Sequence, residues 1–243
     1  MKIVKITVLL FFFIGIVGCS NSEEKALQYL EDKYGEEFEV MWLNNDLVTV
    51  HPKDKTDVVF SIQEDGKGYV DTYLPAKWAQ ELQEKLKDDI EKELPANSEF
   101  KLVLNRTIFN EFMAEMSINE LIEQNKDMGV DLVVGIKTAG EPDINQYSQG
   151  LYNLYNLLKN LGLKNYLISV GFVNKSEDIS EFIQTSYVNN MSWSNIDATV
   201  YGELGIDERH NADNPSTLVD PNLILKDVED VEKHYQEFKD KRF

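Results

Sequence analysis

The side chains able to do chemistry in this 243-residue sequence are unevenly supplied: 43 acidic residues, three histidines and one cysteine. The single Cys19 excludes an intrachain disulfide framework and any zinc site built from several thiolates. His51, His210 and His234 include no pair four residues apart, and the H-E-x-x-H zinc motif is missing. His51 precedes Pro52 at a strand end and is expected at the surface; His234 sits in a charged closing segment and is expected in solvent. His210 shares a polar loop with Asp207, Glu208 and Asp213, which are hard donors. That run lacks the Gly and the terminal Glu of a calcium loop. A solvated acidic loop is the expectation, with no metal and no cofactor assigned.

Covalent and phosphate chemistry find no foothold. There is no G-x-S-x-G elbow, no phosphate loop and no G-x-G-x-x-G turn. Gly135-Ile136-Lys137-Thr138 holds a Lys-Thr pair, but the Lys does not follow the Gly and no upstream Gly is correctly spaced. No catalytic residue is assigned. Glycoside hydrolysis needs only two carboxylates about 5–10 Å apart, and among so many acids the sequence names no pair. A carboxylate-based cell-wall glycan hydrolase therefore stands as an alternative, beside a small-ligand or cation receptor. For binding, Tyr152 falls off the apolar stripe of its helix, and Trp193 lies between Ser192 and Ser194. These two are the candidate exposed anchors. Tyr147, Tyr155, Tyr166, Trp42 and Trp78 follow the apolar periodicity and read as core.

Composition narrows the partners. A formal charge of −19 and a pI near 4.5 exclude the basic footprint of a general nucleic-acid binder. An apolar content of 42% with 11% aromatics suits a packed core rather than a disordered chain.

The elements that must position these residues follow from pattern. Ala26, Leu27, Leu30 and Tyr34 mark a helix ended by Gly35. Alternation at Phe38, Val40 and Trp42, then Val48 and Val50, then Val58, Phe60 and Ile62, predicts antiparallel strands. Asn44-Asn45-Asp46 and Asp65-Gly66-Lys67-Gly68 are the turns. Pro75 is expected to open a long helix reaching Leu94. Beyond Pro95-Ala96-Asn97-Ser98 the rhythm changes to strands alternating with helices. Phe100 to Leu104 is a strand and Thr107 to Met116 is ambiguous. Ser117 and Glu120 form a capping box. Val130 to Ile136 and Tyr166 to Val173 are buried strands, and a helix capped by Asp143 runs between them. Ser176 to Tyr187 is a helix, Ile196 to Val200 a last strand, residues 207–222 a polar loop, and Val228 to Phe238 a closing amphipathic helix. The predicted fold is α+β: an N-terminal helix with antiparallel strands and a second helix over residues 23–95, then a mixed α/β module over 99–243.

The first nineteen residues carry an address. Lys2 and Lys5 precede the apolar run Ile6 to Val17, which is too short to span a bilayer that demands about 20 apolar residues. Ile16-Val17-Gly18-Cys19 follows, and here the chain resembles bacterial lipoprotein precursors. The resemblance implies that residues 1–18 are a signal peptide cleaved after Gly18. Cys19 would carry a diacylglyceryl group, and residues 19–22 would be a short tether. Lys25 to Val40 (KALQYLEDKYGEEFEV) is similar to the start of small Gram-positive lipoproteins, in which a helix ending Tyr-Gly leads into a Glu-Phe-x-Val strand. It implies an extracytoplasmic protein held at the cell membrane by its lipid, and it brings no activity with it. The expected partners are the membrane, through that lipid, and an unidentified protein or small molecule.

Overall fold

The protein is seen in a computed structural model that describes residues 20–44, 47–105, 111–185, 188 and 192–239. Ile16-Val17-Gly18-Cys19, expected to be a lipobox, lies outside these residues. So do Asn45 and Asp46 of the first turn, four residues of the ambiguous Thr107–Met116 stretch, and Tyr187 at the end of its helix pattern. The fold is α+β, with one four-stranded and one five-stranded sheet. The chain forms two compact units. The first takes residues up to Thr56 and Phe60–Asp71; the second takes Asp57–Val59 and all residues from Thr72 onward. The division therefore falls at Asp71/Thr72, not at 95–99. The long second helix goes with the second unit, because its apolar side packs on that unit's first strand and on its long helix.

In the first unit, α1 (Ser20–Tyr34) ends where Gly35 takes φ +68° and returns its N–H to the Glu31 carbonyl at 2.8 Å. Strands β1 (Phe38–Asn44), β2 (Leu47–Pro52), β3 (Phe60–Glu64) and β4 (Tyr69–Asp71) follow as an antiparallel meander in sequence order. Leu30, Phe38, Val50, Phe60 and Ile62 are buried, with Phe38 and Phe60 edge to face at 5.7 Å. The register of β1 slips between Val40 and Trp42. A one-residue slip turns every later side chain to the other face. Trp42, just past the slip, is 37% exposed, against its reading as core, and Leu43 beside it is exposed too.

The second unit begins with α2 (Tyr73–Glu93), which starts two residues before Pro75. Proline fits there because the first-turn N–H groups have no helical partner to lose. Then come β5 (Ser98–Asn105), α3 (Ile118–Gln124), β6 (Gly129–Thr138), α4 (Asn145–Lys159), β7 (Asn165–Asn174), α5 (Ser180–Thr185), β8 (Val200–Asp207) and β9 (Tyr235–Glu237). Strand order is β5-β6-β7-β8-β9. Only β6 and β7 run parallel, joined through α4, since parallel neighbours need a crossover. Both faces are covered. Val130, Leu132, Ile168 and Val170 are fully buried, and Val133 and Val173 join Ile179, Phe182, Ile183 and Trp193 in a second apolar cluster. That two-sided burial is why β6 and β7 read as continuous apolar runs.

Two expectations fail near the C-terminus. The last long strand is Val200–Asp207, not Ile196–Val200, so Asp207 belongs to the sheet rather than to the polar loop. The closing helix is a 3-10 turn over Val228–His234 followed by β9. The reason lies across the sheet at Gly202, where a Cβ would sit 2.4 Å from the Gln236 carbonyl and 2.5 Å from the Tyr235 hydroxyl. The bare glycine admits an extended segment there, and the Tyr235 ring meets Phe172 edge to face at 5.6 Å.

Candidate functional site

A cleft of about 530 Å³ opens beside β5, the edge strand of the five-stranded sheet. Its walls come from α2 and α5, and its floor from the start of β5. The helical spacing of α2 places Gln80, Glu84, Lys87 and Glu91 on the wall that faces it, one turn after another. Gln83, from the same helix, turns its amide oxygen to the Leu102 N–H at 2.8 Å, where a further strand would otherwise place a carbonyl. On the other side, Lys101 Nζ donates to the Gln184 carbonyl of α5 at 2.6 Å. Ser98 also lines the cleft, and its hydroxyl is buried without a hydrogen-bond partner among the described residues.

The electrostatics are uneven. Glu91 lies 3.7 Å from Lys87, and Glu99 lies 2.7 Å from Lys137, so these two carboxylates have cations beside them. No such ion pair joins Asp57, Glu84 or Lys101 to another described residue. Burial pushes the Lys101 ammonium down to about 8, opposed by the field of Asp57. At neutral pH the site therefore holds a largely protonated amine with one carbonyl acceptor and spare N–H donors. Sequence reading missed Lys101, Ser98, Gln83 and Gln184. The stretch around Lys101 has the alternation of any half-covered strand, and the covering helix α5 lies about 80 residues further along the chain.

A second cluster gathers part of the polar loop. His210 and His234 lie edge to face at 4.5 Å, and both are buried, so His234 is not the solvent residue expected. The 3-10 turn carries His234 inward, and its Nδ1 donates to the Gly205 carbonyl at 3.1 Å. Burial, with the neighbouring His210, pushes His234 down to about 4. Asp207 would be raised by burial. Hydrogen bonds from His210 and Arg209 instead hold it well below the usual carboxylate range. His234 Nε2 is buried with no hydrogen-bond partner among the described residues. Among the described residues, no group of three or more His, Cys, Asp and Glu is arranged to hold a metal ion.

The two aromatic anchors fare differently. Trp193 is 3% exposed. Its ring lies on Gly171, where a Cβ would come within 2.2 Å of it, and its Nε1 donates to Ser169 Oγ at 3.1 Å. Its serine neighbours signalled an exposed loop, but the glycine opposite made room for the ring in the core. Tyr152 is half-buried, and its hydroxyl donates to the Lys226 carbonyl at 3.3 Å. Neither residue lines the cleft. His51 is half-buried at the end of β2.

No protein-family model matches the chain, and no curated protein matches it. Among solved structures, the chain is similar to the crystal structure of a DUF5037 family protein from Ruminococcus gnavus. Identity is 16% and the TM-score 0.40, over 76% of this chain and 89% of that one. A likeness of that degree carries no argument.

Proposed function

We propose that the protein is an extracytoplasmic lipoprotein anchored at the cell membrane, with a non-enzymatic binding module in its second unit. The observation that carries the anchor is the placing of the single cysteine directly after Ile16-Val17-Gly18 and an apolar run. Each buried CH₂ of an acyl chain contributes about 0.8 kcal/mol, so two or three chains hold firmly where one holds marginally. No helix among the described residues is long and apolar enough to cross a membrane. The acidic body is repelled by anionic headgroups and hangs from its lipid rather than lying on the bilayer. Tethering confines the module to a surface and raises its effective concentration for nearby ligands. The cleft beside β5 supports the binding half of this reading, as a concave site with a few convergent polar groups.

The test is metabolic labelling with radioactive palmitate, followed by membrane fractionation. The wild-type chain is expected to take up label and sediment with membranes, and Cys19→Ser to do neither. Label persisting on the variant removes Cys19 as the anchor.

A further inference from the structure

Three charged groups of the cleft have no ion-pair partner among the described residues, and they differ in depth. Lys101 is deep, its ammonium held by the Gln184 carbonyl alone. Asp57 and Glu84 are exposed and form part of the rim. A half-buried cation with spare donors calls for an acceptor, and a carboxylate is the group that answers it. An anion alone is disfavoured, because the rim and the whole chain are negative. A molecule with a carboxylate at one end and an ammonium at the other meets both demands, and the cleft volume is that of a small-molecule site.

We propose that this cleft binds a small zwitterion, a free amino acid or a dipeptide. Its carboxylate rests on Lys101 Nζ, and its ammonium on Asp57 and Glu84. The inference rests on the reading of the second unit as a binding module and names the ligand class of that module. Gln83 Oε1 and the Gln184 backbone carbonyl are already committed, one to the Leu102 N–H and the other to Lys101, so these two oxygens tie the walls to β5 rather than contact the ligand.

Binding through a protonated Lys101 is linked to pH. The ammonium loses its proton around pH 8 in the free protein, and a bound carboxylate favours the charged form. The other charged groups facing it are Asp57, Glu84, Lys87, Glu91 and Glu99. Affinity should fall about tenfold between roughly pH 7 and pH 9 as the ammonium is lost. In Lys101→Arg, whose charge persists across that range, any remaining fall is that of the ligand's own amine.

The experiment is titration calorimetry on the full chain in detergent. The probes are the proteinogenic L-amino acids and glycyl-leucine, then the C-terminal amide and the N-acetyl form of whichever binds. At least one unblocked probe should bind, and each blocked form should bind about tenfold or more weakly. Lys101→Met should lose about tenfold or more, with the rim variant Glu84→Gln losing severalfold. Glu84 is exposed, so its variant keeps the test valid should Lys101→Met fail to fold. Absence of binding by every probe at about 10 mM, or equal binding of the amide, overturns the proposal. Either result with Cys19 still acylated removes the ligand class and leaves the anchor. Loss of acylation with zwitterion binding intact does the reverse.

Discussion

His234 makes the protein sensitive to acid in a defined window. Its folded-state pKa lies below its unfolded value, at about 4 against 6.5. Between those values the unfolded chain binds the extra proton, so stability rises with pH and falls as pH drops from 6.5 to 4. The contribution of Asp207 is lost only further down, because its pKa is lowered from an already acidic value. Urea midpoints measured at about pH 7, 6 and 5 should fall in the wild type and stay flatter in His234→Gln. Parallel slopes would exclude His234 as the source. Trp193 tests the opposite kind of residue. As a buried ring on Gly171, its loss in Trp193→Ala should cost about 3–5 kcal/mol of stability. Zwitterion affinity in the folded fraction should not change. A stable variant with weakened binding would return Trp193 to the binding site.

The elements show which local rules survived. Ser117 caps α3 as its spacing with Glu120 predicts. The Glu120 carboxylate accepts from the Ser117 N–H at 2.9 Å and from its hydroxyl at 2.7 Å, which lowers the Glu120 pKa. Ser117→Ala should therefore destabilise by about 1 kcal/mol, read from thermal melts. An unchanged melting temperature would mean that tertiary packing alone holds α3. The C-terminal segment shows the converse. Val228, Val231, Tyr235 and Phe238 have helical spacing, yet the chain gives a 3-10 turn and a strand. A marginal helix over Val228 to Phe238 was outweighed by backbone pairing along β8 and by the Tyr235 ring on Phe172. Trp42 shows the same limit in the first sheet, where the end of β1 is exposed at Trp42 and Leu43 alike, against the face that alternation had assigned.

At the scale of the molecule, the two units are interleaved in sequence. Asp57–Val59 belongs with the second unit although the flanking residues belong to the first, and Val58 and Val59 are 4% and 2% exposed. A fragment beginning at Thr72 discards that segment. It should express with lower stability than the full chain, by an amount of the order of two buried valines, about 3 kcal/mol. The same segment carries Asp57 to the cleft rim, so the fragment should also bind a zwitterion less well. A fragment as stable as the parent would show that residues 57–59 add nothing to the second unit.

The sequence by itself determined the class of fold and the long elements, and the proposed acylation of Cys19, outside the described residues, rests on it alone. Period, capping and turn chemistry act over a few neighbouring residues, and a lipobox is a contiguous string, so each can be read locally. Only the tertiary structure decided which polar residues meet. Lys101 became a half-buried amine because α5 packs beside an edge strand, and His234 joined His210 because a 3-10 turn replaced a helix. Trp193 left the surface because Gly171 offered a space its size. Burial depends on what long-range packing sets opposite a side chain, and that neighbour is absent from the local pattern.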